Sequence, residues 1–183
     1  DGVVWTDIAT SGEAGNWTNA SGDAASCSPD VAGSGIEFDT ELITPEIPIA
    51  GYSDVYVSYT ANYQNLAGSD FLDLDITTDG GVTWVNVLRW NEDHGSFRSP
   101  PGEDVAILLD PFLTGASSFW LRWHYYDPNT NDWDWYVQID DVMVVAEGIS
   151  WASVDPTSGT VPENSSVPVD VNFDATGLFD GTY

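Results

Sequence analysis

The strongest constraint in this 183-residue chain is a period-two alternation of apolar side chains that persists along most of its length. Val55, Val57, Tyr59, Ala61 and Tyr63 alternate with Tyr56, Ser58, Thr60 and Asn62, and Leu72, Leu74 and Ile76 alternate with Phe71, Asp73 and Asp75. Successive side chains of a strand point to opposite faces, so this pattern commits a segment to a sheet with one buried face. No stretch shows a 3.6-residue apolar repeat, and 17 Gly and 10 Pro residues punctuate the runs. Further strands are predicted at Val82–Leu88 after the turn Asp79-Gly80-Gly81, at Val105–Leu109 before Asp110-Pro111, at Phe119–Tyr126, and at Trp133–Val145. Residues 1–35 read as a first strand, Val3–Trp5, and a long ordered loop in which Trp5 and Trp17 need somewhere to pack. The expected fold is all-β, an antiparallel jelly-roll sandwich.

Charge narrows the function. The chain has 30 acidic residues, 22 of them Asp, against three arginines and no lysine, a formal charge of -27. A phosphate backbone or anionic membrane surface would be repelled, so nucleic-acid binding is not expected. No apolar run approaches the roughly 20 residues of a membrane-spanning helix, so membrane insertion is not expected either. The chain begins at Asp1, with any signal peptide expected to be gone already, and Cys27 stands alone, so it has no intrachain disulfide partner. An acidic, lysine-free, tryptophan-rich chain suits a secreted, extracellular or cell-surface setting rich in calcium or salt.

A composition break near Gly148 divides the chain into residues 1–147 and 148–183. The second part holds an alternating run, Val167, Val169, Val171 and Phe173, and is too short to bury a sandwich core alone. It reads as the first part of a second β-sandwich, cut short at a chain boundary; the alternative is an edge open to strand addition from another chain.

Several motifs follow one another in order: Leu42-Ile43-Thr44-Pro45-Glu46-Ile47, Val55-Tyr56-Val57-Ser58-Tyr59, Thr78-Asp79-Gly80-Gly81-Val82-Thr83-Trp84, Trp120-Leu121-Arg122-Trp123, and Trp135-Tyr136-Val137-Gln138-Ile139-Asp140-Asp141-Val142. Over residues 1–147 this resembles the MAM-like jelly-roll domains attached to secreted bacterial peptidases, including those of the immune-inhibitor-A type, and to cell-surface multidomain proteins. Residues 149–183, with Trp151, Pro156-Thr157-Ser158-Gly159-Thr160-Val161 and Asp174-Ala175-Thr176-Gly177-Leu178, resemble the start of a BACON-type or immunoglobulin-like repeat. The resemblance implies a non-catalytic accessory or adhesion region and names no ligand.

Three chemistries are open. In Phe119–Tyr126 the odd residues are apolar or aromatic, leaving Trp120, Arg122, His124 and Tyr126 on the other face. Tyr136 and Gln138 share the same outward parity in the last strand, as do Asp73 and Asp75 in theirs. Were these strands neighbours, one face would carry rings and planar polar groups suited to polysaccharide or cell-surface glycan. The competing reading has that face covered by the N-terminal loop or a neighbouring domain, leaving a structural subunit or spacer of a filament or surface layer. Carboxylates near turns suit calcium, which takes 6–8 oxygen ligands. A structural Ca2+ is expected at Asp140 and Asp141, with Glu37 and Asp39 as early-chain partners, the alternative being chance proximity among thirty carboxylates. Asp73 and Asp75, about 7 Å apart along a strand, have glycosidase-like spacing but no recognisable pocket. No nucleophile elbow surrounds a serine, and two isolated histidines give no zinc spacing, so no enzymatic activity is expected.

Overall fold

The computed structural model describes residues 5–7, 24–32, 38–66, 68–97, 102–128, 134–148, 152–156 and 158–173. They form an all-β protein of antiparallel sheets in a sandwich-like arrangement, with a one-turn α-helix at Pro29–Ala32 and a 3-10 turn at Asp110–Phe112. The strands are β1 (Thr6–Asp7), β2 (Ala25–Cys27), β3 (Phe38–Ile43), β4 (Ile47–Pro48), β5 (Tyr52–Gln64), β6 (Phe71–Thr77), β7 (Val85–Trp90), β8 (Glu103–Leu108), β9 (Ser118–Asp127), β10 (Tyr136–Gly148), β11 (Ala152–Asp155) and β12 (Asp170–Phe173). One sheet has the order β1-β2-β10-β5-β8 and the other β3-β9-β6-β7, with β4 also pairing β9. From β3 onward the chain repeatedly crosses between the sheets. Among the described residues no helix is long and apolar enough to cross a membrane.

The alternation read from sequence defines the interior. Val55, Val57, Tyr59, Ala61 and Tyr63 of β5 face Leu72, Leu74 and Ile76 of β6 and Phe119, Leu121, Trp123 and Tyr125 of β9, all buried. Rings join the sheets: Tyr59 meets Trp123 edge-on at 5.3 Å and Tyr63 meets Tyr125 edge-on at 6.0 Å. Such pairs add roughly 0.5–1.5 kcal/mol beyond the area they bury. Cys27 is buried and unbridged, and burial raises its thiol pKa far above the ordinary value.

Three bulges interrupt the ladders, one of them in β5 near Asp54, opposite Val145–Glu147. In β10 the register with β5 slips between Asp140 and Met143, and Asp141 takes φ 51°. Inward positions therefore change from Val137 and Ile139 to Val144 and Ala146. In β7 one extra residue, Val87, sits between the partners of Leu74 and Asp75.

Several boundaries differ from expectation. The first described strand is Thr6–Asp7, and Val3 and Val4 lie outside the described residues. Strand β7 begins at Val85 because Thr77–Thr83 closes on itself. The Asp79 carboxylate accepts from the Thr77 hydroxyl at 2.7 Å, the Thr83 hydroxyl at 2.6 Å and the Thr83 amide at 2.9 Å. Gly80 and Gly81, at φ 74° and 89°, supply the left-handed backbone. Beyond β10, β11 and β12 form a separate two-stranded sheet, and residues 158–173 are all exposed.

The hydrogen bonds from Thr83 and Thr77 hold the Asp79 carboxyl down at about 2. Its contribution to stability is therefore full above its ordinary pKa near 4 and is lost as pH falls toward 2. Asp79→Asn is expected to lower the denaturation midpoint at pH 5–7, with the difference from wild type vanishing near pH 2. An equal deficit at both pH values would contradict a role for the anion.

Candidate functional site

Strand β9 follows strict alternation, so seating Trp123 and Tyr125 inward turns Trp120, Arg122, His124 and Tyr126 outward, all half-buried. Its neighbours β3 and β6 complete the face. Across the ladder Asp73 lies opposite His124, Asp75 opposite Arg122, Glu41 opposite His124 and Asp39 opposite Tyr126. The strand neighbours required for a shared polar-aromatic face are therefore β3, β6 and β7.

Asp73 and Asp75 are only 3% and 4% exposed. Burying an anion is costly unless it is paired, and both are paired. Arg89 grips Asp73 with two parallel bonds, Nε to Oδ1 at 2.7 Å and Nη2 to Oδ2 at 2.6 Å. This bond raises the already high guanidinium pKa. Arg122 donates from Nε to Asp75 at 2.9 Å and from Nη1 to Glu41. The Asn86 amide donates to Asp75 at 2.9 Å. The β7 bulge makes this set possible: Arg89 and Asn86 are three residues apart and would otherwise point to opposite faces.

The aromatic groups stack along the same surface. His124 lies against Tyr126 with centroids 4.4 Å apart, and Tyr126 against Phe71 at 5.4 Å. The Arg89 guanidinium sits over Phe71 at 5.4 Å and that of Arg122 over Trp84 at 4.5 Å. Partial burial and the Asp73 carboxylate raise the Tyr126 phenol above its ordinary pKa. Its hydroxyl donates to Asp73 at 3.3 Å. One ligand atom from each of Asp73, Asp75 and His124 falls within 4.8 Å of the other two, so this cluster could hold a metal ion. Any such ion would compete with Arg89 and Arg122 for the carboxylates.

Tyr136 and Gln138 do not join this face. They lie on β10 in the other sheet and are 0% exposed. The segment His94–Phe97 covers that neighbourhood: Phe97 packs on Tyr136, Ser96 O accepts from the Asn62 amide at 3.0 Å, and Gly95 O accepts from Gln64 at 3.3 Å. A Cβ on Gly95, at φ 81°, would stand 3.3 Å from the Asn62 side chain, so the cover fits closely. Polar alternation there marks a covered face, not a solvated one. At the start of β10, Asp134 is buried and Trp135 is half-exposed against Phe97, the reverse of the expected parity.

The expected calcium partners are also separated. Asp39 stands on β3 with an oxygen 2.7 Å from His124 Nε2, whereas Asp140 and Asp141 lie on β10 in the other sheet. The Asp140 carboxylate accepts from the Asp141 amide at 2.8 Å. Glu37 lies outside the described residues. Sequence reasoning left Trp84, Phe71 and Glu41 out of the site, and put Arg89 on the outward parity of its strand without naming it a site residue. The Trp closing Thr78–Trp84 was an available signal, as was the placement of two of the three arginines within alternating strands.

Arg122 is 16% exposed and its partner Asp75 6% at the side chain, so this pair is close to a buried one. Arg122→Met is expected to cost about 3 kcal/mol, the low end for leaving a buried charge unpaired. Adding Asp75→Asn should restore part of that loss in urea denaturation. A double variant no more stable than Arg122→Met would show that the cost lies in packing on Trp84 instead.

No protein-family model and no curated protein matches the chain.

Proposed function

We propose that the chain is a non-catalytic binding module of a secreted or cell-surface protein, taking glycan on the outward face of the β3-β9-β6-β7 sheet. The observation carrying this reading is the half-buried row Trp120, Arg122, His124 and Tyr126, held rigid by paired carboxylates beneath it. Six residue rises of about 3.3 Å make the row about 20 Å long, enough for several sugar rings. Rings can lie against sugar C–H faces while guanidinium, imidazole and carboxylate pair with hydroxyls. Preformed side chains lose little freedom on binding. The -27 charge favours neutral over acidic polysaccharide. A structural calcium belongs to the same reading, bracing the scaffold and taking no part in chemistry. So does the likeness to MAM-like accessory domains.

Affinity electrophoresis and calorimetry against neutral polysaccharides should show binding that falls at least tenfold in Trp120→Ala and in Tyr126→Ala, with melting temperatures showing that both still fold. Undiminished binding in both variants, or retention of acidic polysaccharides alone, would reject this face as the site.

A second reading, a structural subunit or spacer that assembles through strand addition, is favoured by the β11–β12 ribbon. Val171 and Phe173 of β12 are 54% and 71% exposed, and Val167 and Val169 in the segment leading into it are 45% and 52% exposed. Sedimentation velocity should then show concentration-dependent association abolished by Val171→Glu. A monomer at all concentrations would remove this reading.

A further inference from the structure

The inward rows of β6 and β9 should stay apolar to their ends, and they do not. Phe71 pairs with Tyr126, so Asp70 and Asp127 stand next in register, directly opposite each other on neighbouring strands. They continue the rows Leu72, Leu74, Ile76 and Leu121, Trp123, Tyr125, and are 0% and 2% exposed. Like charges facing each other across a ladder are destabilising even at a surface. A third carboxylate, Asp134, enters just before β10 of the other sheet, is 2% exposed, and lies in contact with both Asp127 and Asp70.

Among the described residues neither Asp70 nor Asp134 makes an ion pair. Asp70 Oδ1 accepts from the Asn65 amide, while Asp70 Oδ2 and Asp134 Oδ1 are buried with no hydrogen-bond partner. An independent feature points to the same spot. The Tyr125 hydroxyl, on a side chain 0% exposed, is aimed at the Asp70 carboxyl without closing a well-formed hydrogen bond to it. Polar oxygens thus converge from three elements on a place where protein alone leaves them unsatisfied.

We propose that Asp70, Asp127 and Asp134 bind a calcium ion at the end of the sandwich interior, a site separate from the sheet face and independent of what that face binds. The donors are all oxygen, which suits a hard cation and not zinc. A buried set of protein carboxylates suits calcium rather than magnesium, which dehydrates reluctantly and usually keeps several waters. Burial raises the Asp70 carboxyl to about 6, and burial with the Asp70 and Asp127 carboxylates beside it raises Asp134 to about 8.

The test uses the full chain with Ca2+ alone as probe, by calorimetry and by thermal unfolding in EDTA, CaCl2 and MgCl2 at matched ionic strength. The expected result is one Ca2+ per chain and a melting temperature about 5 °C or more higher in Ca2+ than in Mg2+. Asp70→Asn and Asp134→Asn should each abolish the Ca2+ response and, with one repelling charge gone, melt in EDTA at or above wild type. His124→Ala and Asp141→Asn should keep the response, which separates this site from the sheet-face cluster and from the last strand. Equal gains from both cations, a response surviving in both Asn variants, or a response lost in His124→Ala or Asp141→Asn while the two Asn variants retain it would overturn the assignment. So would Asn variants already unfolded in EDTA.

Discussion

The ring-to-ring seam between β5 and β9 sets the geometry of everything else. Tyr59 and Tyr63 from one sheet meet Trp123 and Tyr125 from the other, and Phe38 packs on Tyr125 at 4.6 Å. A strand has two faces and no intermediate setting. Once Trp123 and Tyr125 are seated inward, the rotation of β9 is settled, and with it the row from Trp120 to Tyr126. A slip of one residue would drive Arg122 and His124 into the interior and expel two of the largest apolar groups. The outward chemistry is thus held in place by the packing behind it.

The same residue type meets two different electrostatic situations in this molecule. Asp73 and Asp75 are buried but each is matched to a guanidinium, in a chain with only three arginines. Two of those three are committed to one sheet face. Asp70 and Asp134 are buried at the end of the interior without such a partner among the described residues. Pairing in the first place matches both buried anions and fixes the side chains of that face. Crowding in the second produces a demand for positive charge that the chain's own composition leaves unmet.

Much of the sandwich was legible because period two is a local property: the inward residues of β5, β6 and β9 can be read without knowing which strands pair. The outward row of β9 follows from the same parity. What was not legible depended on long-range arrangement. Tyr136 and Gln138 have the parity of an open face, but their sheet is covered by His94–Phe97, a segment with no periodicity to announce it. Asp39 alternates correctly in β3, yet only the pairing of β3 with β9 delivers it to His124 instead of Asp140. In the sequence Asp70 and Asp127 only border alternating runs, and Asp134 has the outward parity of the expected Trp133–Val145 strand. Their burial became visible only when the register set two of them opposite each other.

The extra residue in β7 and the one in β10 have a consequence for how such a chain can vary over evolutionary time. Each bulge exchanges the inner and outer faces for the rest of its strand, so it works as a frame correction: losing Val87 or Asp141 would misdirect every side chain beyond it. Loops between the strands can lengthen or shorten at small cost, because closure entropy grows slowly with length. Residue count is therefore constrained within these two strands more tightly than residue identity. Related chains should tolerate many substitutions in them and almost no single-residue insertions or deletions.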